Sequence, residues 1–389
     1  METSRPVVRP DTPHFSSGPC AKHPGWTPQS LAPAWLGRSH RASGGKQRLQ
    51  AAIDRTARLL EVPDDYIIGI LPASDTGAFE AMMWSTLGAR GVEVLAWEAF
   101  GKGWATDILK QLKLPARLHQ AAYGALPDLT GVDWACDVVF TWNGTTSGVR
   151  VPDGDWIDAN RSGLTLCDAT SAAFAQALDW PKLDITTLSW QKALGGEAQH
   201  GMVVLSPRAV ERLQSYTPPW PMPKLFRLTK NGRLDSAIFA GSTINTPSVL
   251  CVEDYLRALD WAEAQGGLTG LLARVDANFA TLEKWVTATP WIDFLARDPA
   301  TRSNTSVCLR FCDPAVTGMS GERQSAFAAG VARRLDQEDA GYDIGAYRDA
   351  PPGLRIWCGA TIEASDLAAL LPWISWSYAR QIAQSVAAA

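Results

Sequence analysis

Short apolar runs alternate along the chain with longer amphipathic stretches, an order that is typical of α/β proteins. Leu49, Ile53 and Ala57 recur at helical spacing and indicate a helix over 45–60. The same reasoning predicts further helices at 78–87, 103–113, 247–264, 268–288, 324–335 and 366–383. Short runs that are apolar throughout predict strands at 66–71, 92–97, 137–142, 164–167, 185–190, 202–205, 307–311 and 354–357. Such strands are covered on both faces, so the main sheet is predicted to be largely parallel.

The pattern changes once along the chain, after Pro290, where strands and helices take up a new order. The Pro-rich segment 217–223 must be irregular, because proline removes backbone donors and restricts its neighbours. We therefore predict an N-terminal segment (1–30), a large domain (31–275) and a small C-terminal domain (276–389). Three parts agree with the soft expectation for 389 residues.

Composition narrows the class of protein. Hydrophobic residues make up 46% and charged residues 20%, which excludes a disordered chain. The net charge of −4 disfavours a broad nucleic-acid-binding face, which needs clustered Lys and Arg. The longest uncharged stretch, 236–252, is interrupted by Gly, Ser and Pro, so no membrane span is predicted. Residues 1–13 hold no apolar core of a signal peptide.

The seven cysteines form no C-x-x-C pair, and no H-x-x-x-H occurs among the five histidines. Neither a disulfide framework nor a metal site is therefore predicted. Cysteines without a disulfide pattern are typical of a reducing compartment, so a cytoplasmic location is predicted. Cys308 and Cys312 alternate in phase on a predicted strand, so both are predicted to be buried apolar residues.

Two predicted strands end in residues that carry chemistry. Asp168 follows the strand at 164–167, and Lys192 follows the strand at 185–190. Ligands of open α/β sheets bind beyond the carboxyl ends of strands. Pyridoxal phosphate needs both residue types, a lysine amine for its aldehyde and a carboxylate for its pyridine nitrogen. Taken singly, the lysine also fits a solvated surface residue and the aspartate a helix cap.

Other candidate binding residues lie after a predicted strand, ahead of the first predicted helix and within a predicted strand. The segment Ser74-Asp75-Thr76-Gly77 follows a strand and opens a helix, so its N–H groups suit a phosphate. Asp75 would then contribute through its backbone or cap the helix, and a plain N-cap is the alternative reading. His40 and Arg41 are paired cations suited to an anionic substrate, and Arg355 in an apolar strand needs a partner. Most of the 17 Trp are predicted core residues, although Trp104 or Phe100 is placed to stack on a flat ring.

Seven motifs together resemble the phosphoserine aminotransferase family. They are HFSSGPC (14–20), GRSHR (37–41), PASDTGAFE (72–80), TWNGTTSGV (141–149), CDATSAAF (167–174), SWQKALGGE (189–197) and INTPS (244–248). They occur in the family's order and extend over roughly residues 12–360. The resemblance implies a fold-type-I enzyme with a mostly parallel seven-stranded sheet and a smaller α+β C-terminal domain. It implies a homodimer with shared active sites, and transamination of 3-phosphooxypyruvate by glutamate, giving phosphoserine and 2-oxoglutarate in serine biosynthesis.

Matching the motifs residue by residue assigns roles to this chain. Lys192 matches the lysine that holds pyridoxal phosphate, and Asp168 the partner of its pyridine nitrogen. Cofactor contacts are further implied for Asp75, Thr76, Trp104 or Phe100, Thr145, Gln191, and, from the neighbouring subunit, Asn245 and Thr246. Substrate contacts are implied for His40, Arg41 and Arg355.

One family feature is missing from this chain. Where commoner members carry Gly-His-Arg in the small domain, this chain reads Gly341-Tyr342-Asp343, which leaves the substrate-phosphate cation to Arg348, Lys224 or Arg227. The departure also admits 4-phosphohydroxythreonine, of pyridoxine biosynthesis, as a substrate.

Two groups of alternatives remain open at this point. One is another fold-type-I enzyme, such as an alanine–glyoxylate aminotransferase or a desulfurase-like lyase. The other is a non-catalytic, Trp-rich binding module.

Overall fold

A computed structural model describes residues 4–387 of the chain. Residues 1–3, from the predicted N-terminal segment, and residues 388–389, from the predicted small domain, lie outside the described residues.

The elements of the described chain alternate in the predicted manner. The strands are β1 (Ile67–Pro72), β2 (Val92–Ala96), β3 (Ala116–Gln120), β4 (Asp137–Thr141), β5 (Asn143–Gly144), β6 (Val149–Arg150), β7 (Thr165–Asp168), β8 (Ile185–Ser189), β9 (His200–Leu205), β10 (Thr229–Lys230), β11 (Arg233–Leu234), β12 (Ile292–Phe294), β13 (Ser306–Phe311) and β14 (Gly353–Trp357). The helices are α1 (Ser43–Leu59), α2 (Ser74–Thr86), α3 (Ala99–Thr106), α4 (Pro207–Ser215), α5 (Val249–Ala264), α6 (Gly267–Ala288), α7 (Pro314–Thr317), α8 (Gly321–Gln337) and α9 (Ala364–Ala387).

A seven-stranded sheet in the order β1-β9-β8-β7-β4-β2-β3 forms the centre of the molecule. Its strands run parallel except β9, which pairs antiparallel with both β8 and β1. Every residue of β2, β4, β7, β8 and β9 is buried, as the uninterrupted apolar runs require. The prediction of a largely parallel sheet within an α/β fold is confirmed.

A second sheet of three antiparallel strands, β12-β13-β14, lies towards the carboxyl end of the chain. Helices α8 and α9 pack on each other, α6 packs on α9, and α8 also packs on β14. The predicted domain boundary at 275/276 falls inside α6, a single helix of 22 residues. The division into domains remains a prediction.

Some predicted elements differ from those observed. Helix α2 begins at Ser74, four residues earlier than predicted, because Ala73 and Ser74 take positive φ values of 67° and 55° and turn the chain directly into the helix. The edge strand β3 was missed because its sequence, ARLHQ, is polar and half-exposed.

One of the two cysteine predictions is wrong. Cys308 is buried, at 5% exposure, as predicted. Cys312 lies beyond the end of β13 and is only half-buried, since the strand stops at Phe311.

No helix among residues 4–387 is both long enough and apolar enough to span a bilayer.

Candidate active site

Strand direction brings the predicted chemical residues to one edge of the central sheet. Asp168 is the last residue of β7, and Lys192 follows β8 by three residues. Asp168 pairs in register with Thr187 of β8. Helix α2 starts at the end of β1 and packs across β9, β8 and β7. Parallel strands end at the same edge, so the side chains of these loops converge.

The carboxylate of Asp168 is held by two N–H donors. The backbone N–H of Thr170 donates to Oδ1 at 3.0 Å, and the indole N–H of Trp104 donates to Oδ2 at 3.2 Å. The Trp104 ring packs on Phe79 of α2, with centroids 4.7 Å apart. Phe100 is instead 39% exposed and contacts Tyr347. Of the two candidate aromatics, the structure brings Trp104 to Asp168.

The amine of Lys192 is buried against the N-terminal segment. Its Nζ donates to the carbonyl of Ser17, and a Cβ at Gly18 would lie 2.6 Å from it. Burial is the main cause that lowers the pKa of Lys192, and the charge of Arg355 lowers it further, while Cys20, Asp168 and Glu98 act in the opposite sense. A lowered pKa raises the share of neutral amine, which is the nucleophilic form.

Thr145 belongs to a buried hydroxyl network. Its Oγ1 donates to Ser171 Oγ at 2.8 Å, and Asn143 Nδ2 donates to the same oxygen at 2.9 Å. The hydroxyl of Ser171 in turn donates to the carbonyl of Asn143 at 3.0 Å. This network fixes the side chain of Thr145, which is 5% exposed.

Arg355 reaches the site from β14. Its Nε is buried without a hydrogen-bond partner among the described residues, and its guanidinium lies 5.6 Å from the Tyr347 ring. Arg348 lies 5.4 Å from the same ring. The other two phosphate-cation candidates, Lys224 and Arg227, lie in the segment that packs against the C-terminal end of α2 through Phe226. The structure thus brings Arg348, among the three, towards Arg355.

Two loops carry the remaining predicted binding residues. Arg41 is exposed at the entry to α1, and Asn245 and Thr246 precede α5. The loops are neighbours, because Gly241 packs against Lys46 of α1. Within residues 4–387 no hydrogen bond joins Arg41, Asn245 or Thr246 to Lys192, Asp168 or Thr145.

The surroundings of His40 disfavour the charged form of its ring. His40 is buried, and burial, followed by the charge of Arg41, lowers its pKa. Its predicted contact with the substrate remains a prediction.

Helix α2 begins without a side-chain cap, so the reading of Asp75 as an N-cap is wrong. The N-cap position is Ala73, and the Asp75 side chain is buried at 7% exposure. Gly201 of β9 lets the start of α2 pack closely on this strand, because a Cβ at Gly201 would collide with the carbonyl of Ser74. The first-turn N–H groups of Asp75 and Thr76 have no acceptor among residues 4–387 and are free for an anion.

Several buried polar atoms around this edge lack partners among the described residues. They are Asp75 Oδ1, Thr170 Oγ1, Thr187 Oγ1, Gln191 Oε1 and Arg355 Nε. Buried polar atoms are rarely left unpaired, so a polar molecule is the expected partner here. An amine, a carboxylate, free N–H groups at a helix start and an indole ring fit pyridoxal phosphate.

Sequence and structure comparisons place the chain among known proteins. No model of a protein family matches it. It is 57% identical to the phosphoserine aminotransferase of Methanosarcina barkeri over 375 residues, which is 96% of this chain and 99% of the relative. The chain belongs to the phosphoserine aminotransferase family.

Solved structures of phosphoserine aminotransferases share the fold. The enzyme from Cytophaga hutchinsonii superposes with a TM-score of 0.79 at 19% identity, covering 96% of this chain and 99% of that one. A pyridoxal-phosphate-bound phosphoserine aminotransferase from Trichomonas vaginalis gives a TM-score of 0.75 at 17% identity, covering 94% and 99%. These likenesses confirm the predicted fold class.

Sequence reasoning missed three residues that support the site of this family member. Ser17 accepts the bond from Lys192, and Ser171 fixes Thr145. His200 Nε2 accepts the N–H of Ser248, just after the loop with Asn245 and Thr246, and burial lowers its pKa to about 4. Ser17 lies in the motif HFSSGPC and Ser171 in the motif CDATSAAF. The occurrence of these motifs together with Lys192 and Asp168 was the sequence signal that could have identified both serines.

Proposed function

We propose that this chain transfers an amino group between glutamate and 3-phosphooxypyruvate, forming phosphoserine and 2-oxoglutarate, with Lys192 and Asp168 as its central residues. It is a pyridoxal-phosphate-dependent aminotransferase of serine biosynthesis. The observation that carries the assignment is one buried amine and one buried carboxylate at the ends of adjacent strands, close enough that the charge of Asp168 acts on the pKa of Lys192.

The residues that would hold the cofactor surround this pair. Lys192 would bind its aldehyde, Asp168 its pyridine nitrogen and Thr145 its ring hydroxyl. The N–H groups of Asp75 and Thr76, with Gln191, would bind the phosphate, and Trp104 would cover the ring. When bound, pyridoxal phosphate supplies an aldehyde that carries the amino group and a ring that withdraws electrons from the substrate carbon.

The chain's own groups then bind the substrate and move its proton. Arg355 and the Arg41 of a second subunit anchor the anionic groups of the substrate, at about 1.5–3 kcal/mol for each charge-assisted bond. Lys192 Nζ accepts the proton from the α-carbon and later returns it, which requires the neutral amine that burial favours. Two N–H donors hold the Asp168 side chain at the end of β7, where its carboxylate would pair with the pyridine nitrogen.

We assign the active form to a homodimer with shared sites. Arg41, Asn245 and Thr246 lie on adjacent loops and make no hydrogen bond to Lys192 within the described residues. The exposed apolar residues Leu36 and Leu250 lie a few positions from them in the sequence. A Lys192→Ala and an Arg41→Ala variant, each inactive alone, should complement on subunit exchange. Hybrid dimers keep one intact site, so about a quarter of wild-type activity should return. If mixing restores none, the shared-site assignment is wrong.

The choice of amino donor tests the function itself. Purified enzyme with 2-oxoglutarate should use phosphoserine far more efficiently than serine or alanine, as measured by kcat/KM. Equal use of alanine would favour an alanine–glyoxylate type of enzyme. We also propose 4-phosphohydroxythreonine as a second donor, and its kcat/KM belongs in the same series.

We assign the enzyme to the cytoplasm, where reducing conditions keep all seven cysteines as thiols.

A further inference from the structure

We propose that Glu98 is a positioning residue of the cofactor site, because its carboxylate bonds Thr146 and so ties the start of α3 to the turn of the β5–β6 hairpin. The pair thereby holds Trp104 on α3 and Thr145 in the turn at a fixed separation. This inference rests on the proposed function and adds to it a residue that lies outside the seven motifs.

Two separate elements carry the residues expected on two sides of the cofactor ring. Trp104 lies on α3, about 7.5 Å along the helix axis from Ala99, and its indole donates to Asp168 at 3.2 Å. Thr145 lies in the turn between β5 and β6. Helix α3 follows β2 and the hairpin follows β4, so the local sequence does not fix the position of one element relative to the other.

The carboxylate of Glu98 bonds both elements. The backbone N–H of Gly101 donates to Oε1 at 2.7 Å, which caps the first turn of α3. The hydroxyl of Thr146 donates to Oε2 at 2.8 Å, and the oxygen of this hydroxyl accepts the N–H of Ala99 at 3.1 Å. A closed set of three hydrogen bonds therefore joins the first turn of α3 to the residue next to Thr145.

The surroundings of Glu98 leave it little room to move. Glu98 is fully buried, at 0% exposure, and a Cβ at Gly144 of β5 would lie 2.8 Å from its Cγ. The preceding residue, Trp97, also bonds the hairpin, since its indole donates to the carbonyl of Val149 at 2.9 Å. The position of the hairpin is thus coupled to the start of α3.

A helix cap alone does not explain a glutamate at this position. The favoured caps are Ser, Thr, Asp and Asn, whose short side chains supply the single acceptor that a cap needs. Burying a carboxylate is costly unless hydrogen bonds compensate for the lost water. The longer side chain of Glu98 reaches Gly101 and Thr146 with separate oxygens, so its second oxygen serves the link between the two elements.

Two substitutions break this link and leave the bond from Gly101 in place. In Glu98→Gln the remaining carbonyl oxygen can still accept from Gly101, but the amide nitrogen cannot accept from Thr146. Thr146→Val removes the hydroxyl and keeps the branched shape of the side chain, whereas Thr146→Ser keeps the hydroxyl. Thr106→Val is the matched control, because the Thr106 hydroxyl bonds the Lys102 carbonyl within the same helix, at 2.9 Å.

Equilibrium dialysis with pyridoxal phosphate and the visible circular dichroism of the bound cofactor measure the effect. Thr146→Val and Glu98→Gln should each weaken cofactor binding about two- to tenfold, the worth of one hydrogen bond, and should change the dichroism, which reports how the ring is held. Thr146→Ser and Thr106→Val should resemble wild type in both measurements. Wild-type affinity and dichroism in Thr146→Val would overturn the proposal.

The double variant separates the hydrogen bond from the charge of Glu98. If Glu98 acts through Thr146, Glu98→Gln together with Thr146→Val should weaken binding no more than the stronger single substitution. Losses that add would mean that the charge of Glu98 acts directly on Asp168 or Lys192, and would overturn the proposal. The measurements are made above the pKa of Glu98, which burial raises to about 7, so that the carboxylate accepts both bonds.

Hydrogen exchange of the cofactor-free, full-length enzyme distinguishes a link between elements from a plain helix cap. Glu98→Gln should speed exchange in both 99–106 and 143–150, because each segment loses a bond that holds it to the other. Faster exchange confined to one of the two segments would contradict the proposal. This readout needs only Glu98→Gln, so it decides the question even if Thr146→Val does not fold.

Borohydride labelling of Lys192 in wild type tests the proposed function separately. A label elsewhere rejects that function and this inference with it. A label on Lys192, together with unchanged cofactor binding in Thr146→Val, rejects this inference alone.

Discussion

Replacing Ser171 with alanine should destabilise the site, although Ser171 itself is not assigned to bind the cofactor. The Ser171 hydroxyl, at 3% exposure, makes three hydrogen bonds, from Thr145 at 2.8 Å, from Asn143 at 2.9 Å and to the Asn143 carbonyl at 3.0 Å. Asn143 Nδ2 keeps a second acceptor in Thr305, at 3.2 Å, whereas the Thr145 hydroxyl is left unpaired. At about 0.5–1.5 kcal/mol for each bond and about 1–3 kcal/mol for a stranded buried donor, the loss should be about 2–4 kcal/mol.

Urea unfolding of the cofactor-free chain measures this loss, and equilibrium dialysis measures cofactor binding. A freely rotating Thr145 hydroxyl should also weaken binding of the cofactor by about one hydrogen bond, two- to tenfold. Ser215→Ala is the control, because its hydroxyl makes a single exposed bond to Glu211 within α4, so it should stay within about 0.5 kcal/mol of wild type. Equal stability of the two variants would refute the reasoning.

Three further predictions concern charge and space at the site. Burial raises the pKa of Glu98 to about 7, whereas its value in the unfolded chain is about 4.3. The free energy of unfolding should therefore fall as pH rises through this window, and Glu98→Gln should flatten its dependence on pH. Urea unfolding midpoints at several pH values measure this dependence. Gly18→Ala places a Cβ 2.6 Å from Lys192 Nζ, at a φ of 147°, and should therefore lower the occupancy of the cofactor. Absorbance of the bound cofactor measures this occupancy, and an unchanged value would mean that the amine moves aside freely. Arg355→Lys keeps the positive charge but loses the planar guanidinium that can form two parallel hydrogen bonds, so KM for phosphoserine should rise about tenfold with a smaller change in kcat. A change in kcat alone would show that Arg355 does not bind the substrate.

Strand ends were predictable because each one combines two strong sequence signals. Fully apolar runs fix the buried parallel strands, and the polar residue that stops each run must emerge at the carboxyl edge. This reasoning identifies Asp168 and Lys192 without any likeness to a family. The motifs then supplied roles for residues such as Thr145, whose chemistry alone is ordinary.

Side-chain direction was not predictable at the start of α2. The left-handed conformations of Ala73 and Ser74 rotate the first turn so that Asp75 turns inward, whereas residues of these types usually avoid positive φ. The environment of His40 was likewise hidden, since the packing of its loop against Gly45 of α1 depends on tertiary contacts. Pairwise hydroxyl contacts such as Thr145 with Ser171 join residues 26 positions apart and leave no periodic trace in the sequence.

Borohydride reduction of the cofactor-loaded enzyme, followed by peptide mass spectrometry, tests the central claim most directly. The account predicts one pyridoxyl label for each chain, on Lys192, and none in Lys192→Ala, with Lys22→Ala labelled as in wild type. A label on another lysine, or no label in protein that has bound pyridoxal phosphate, would contradict the assignment of Lys192.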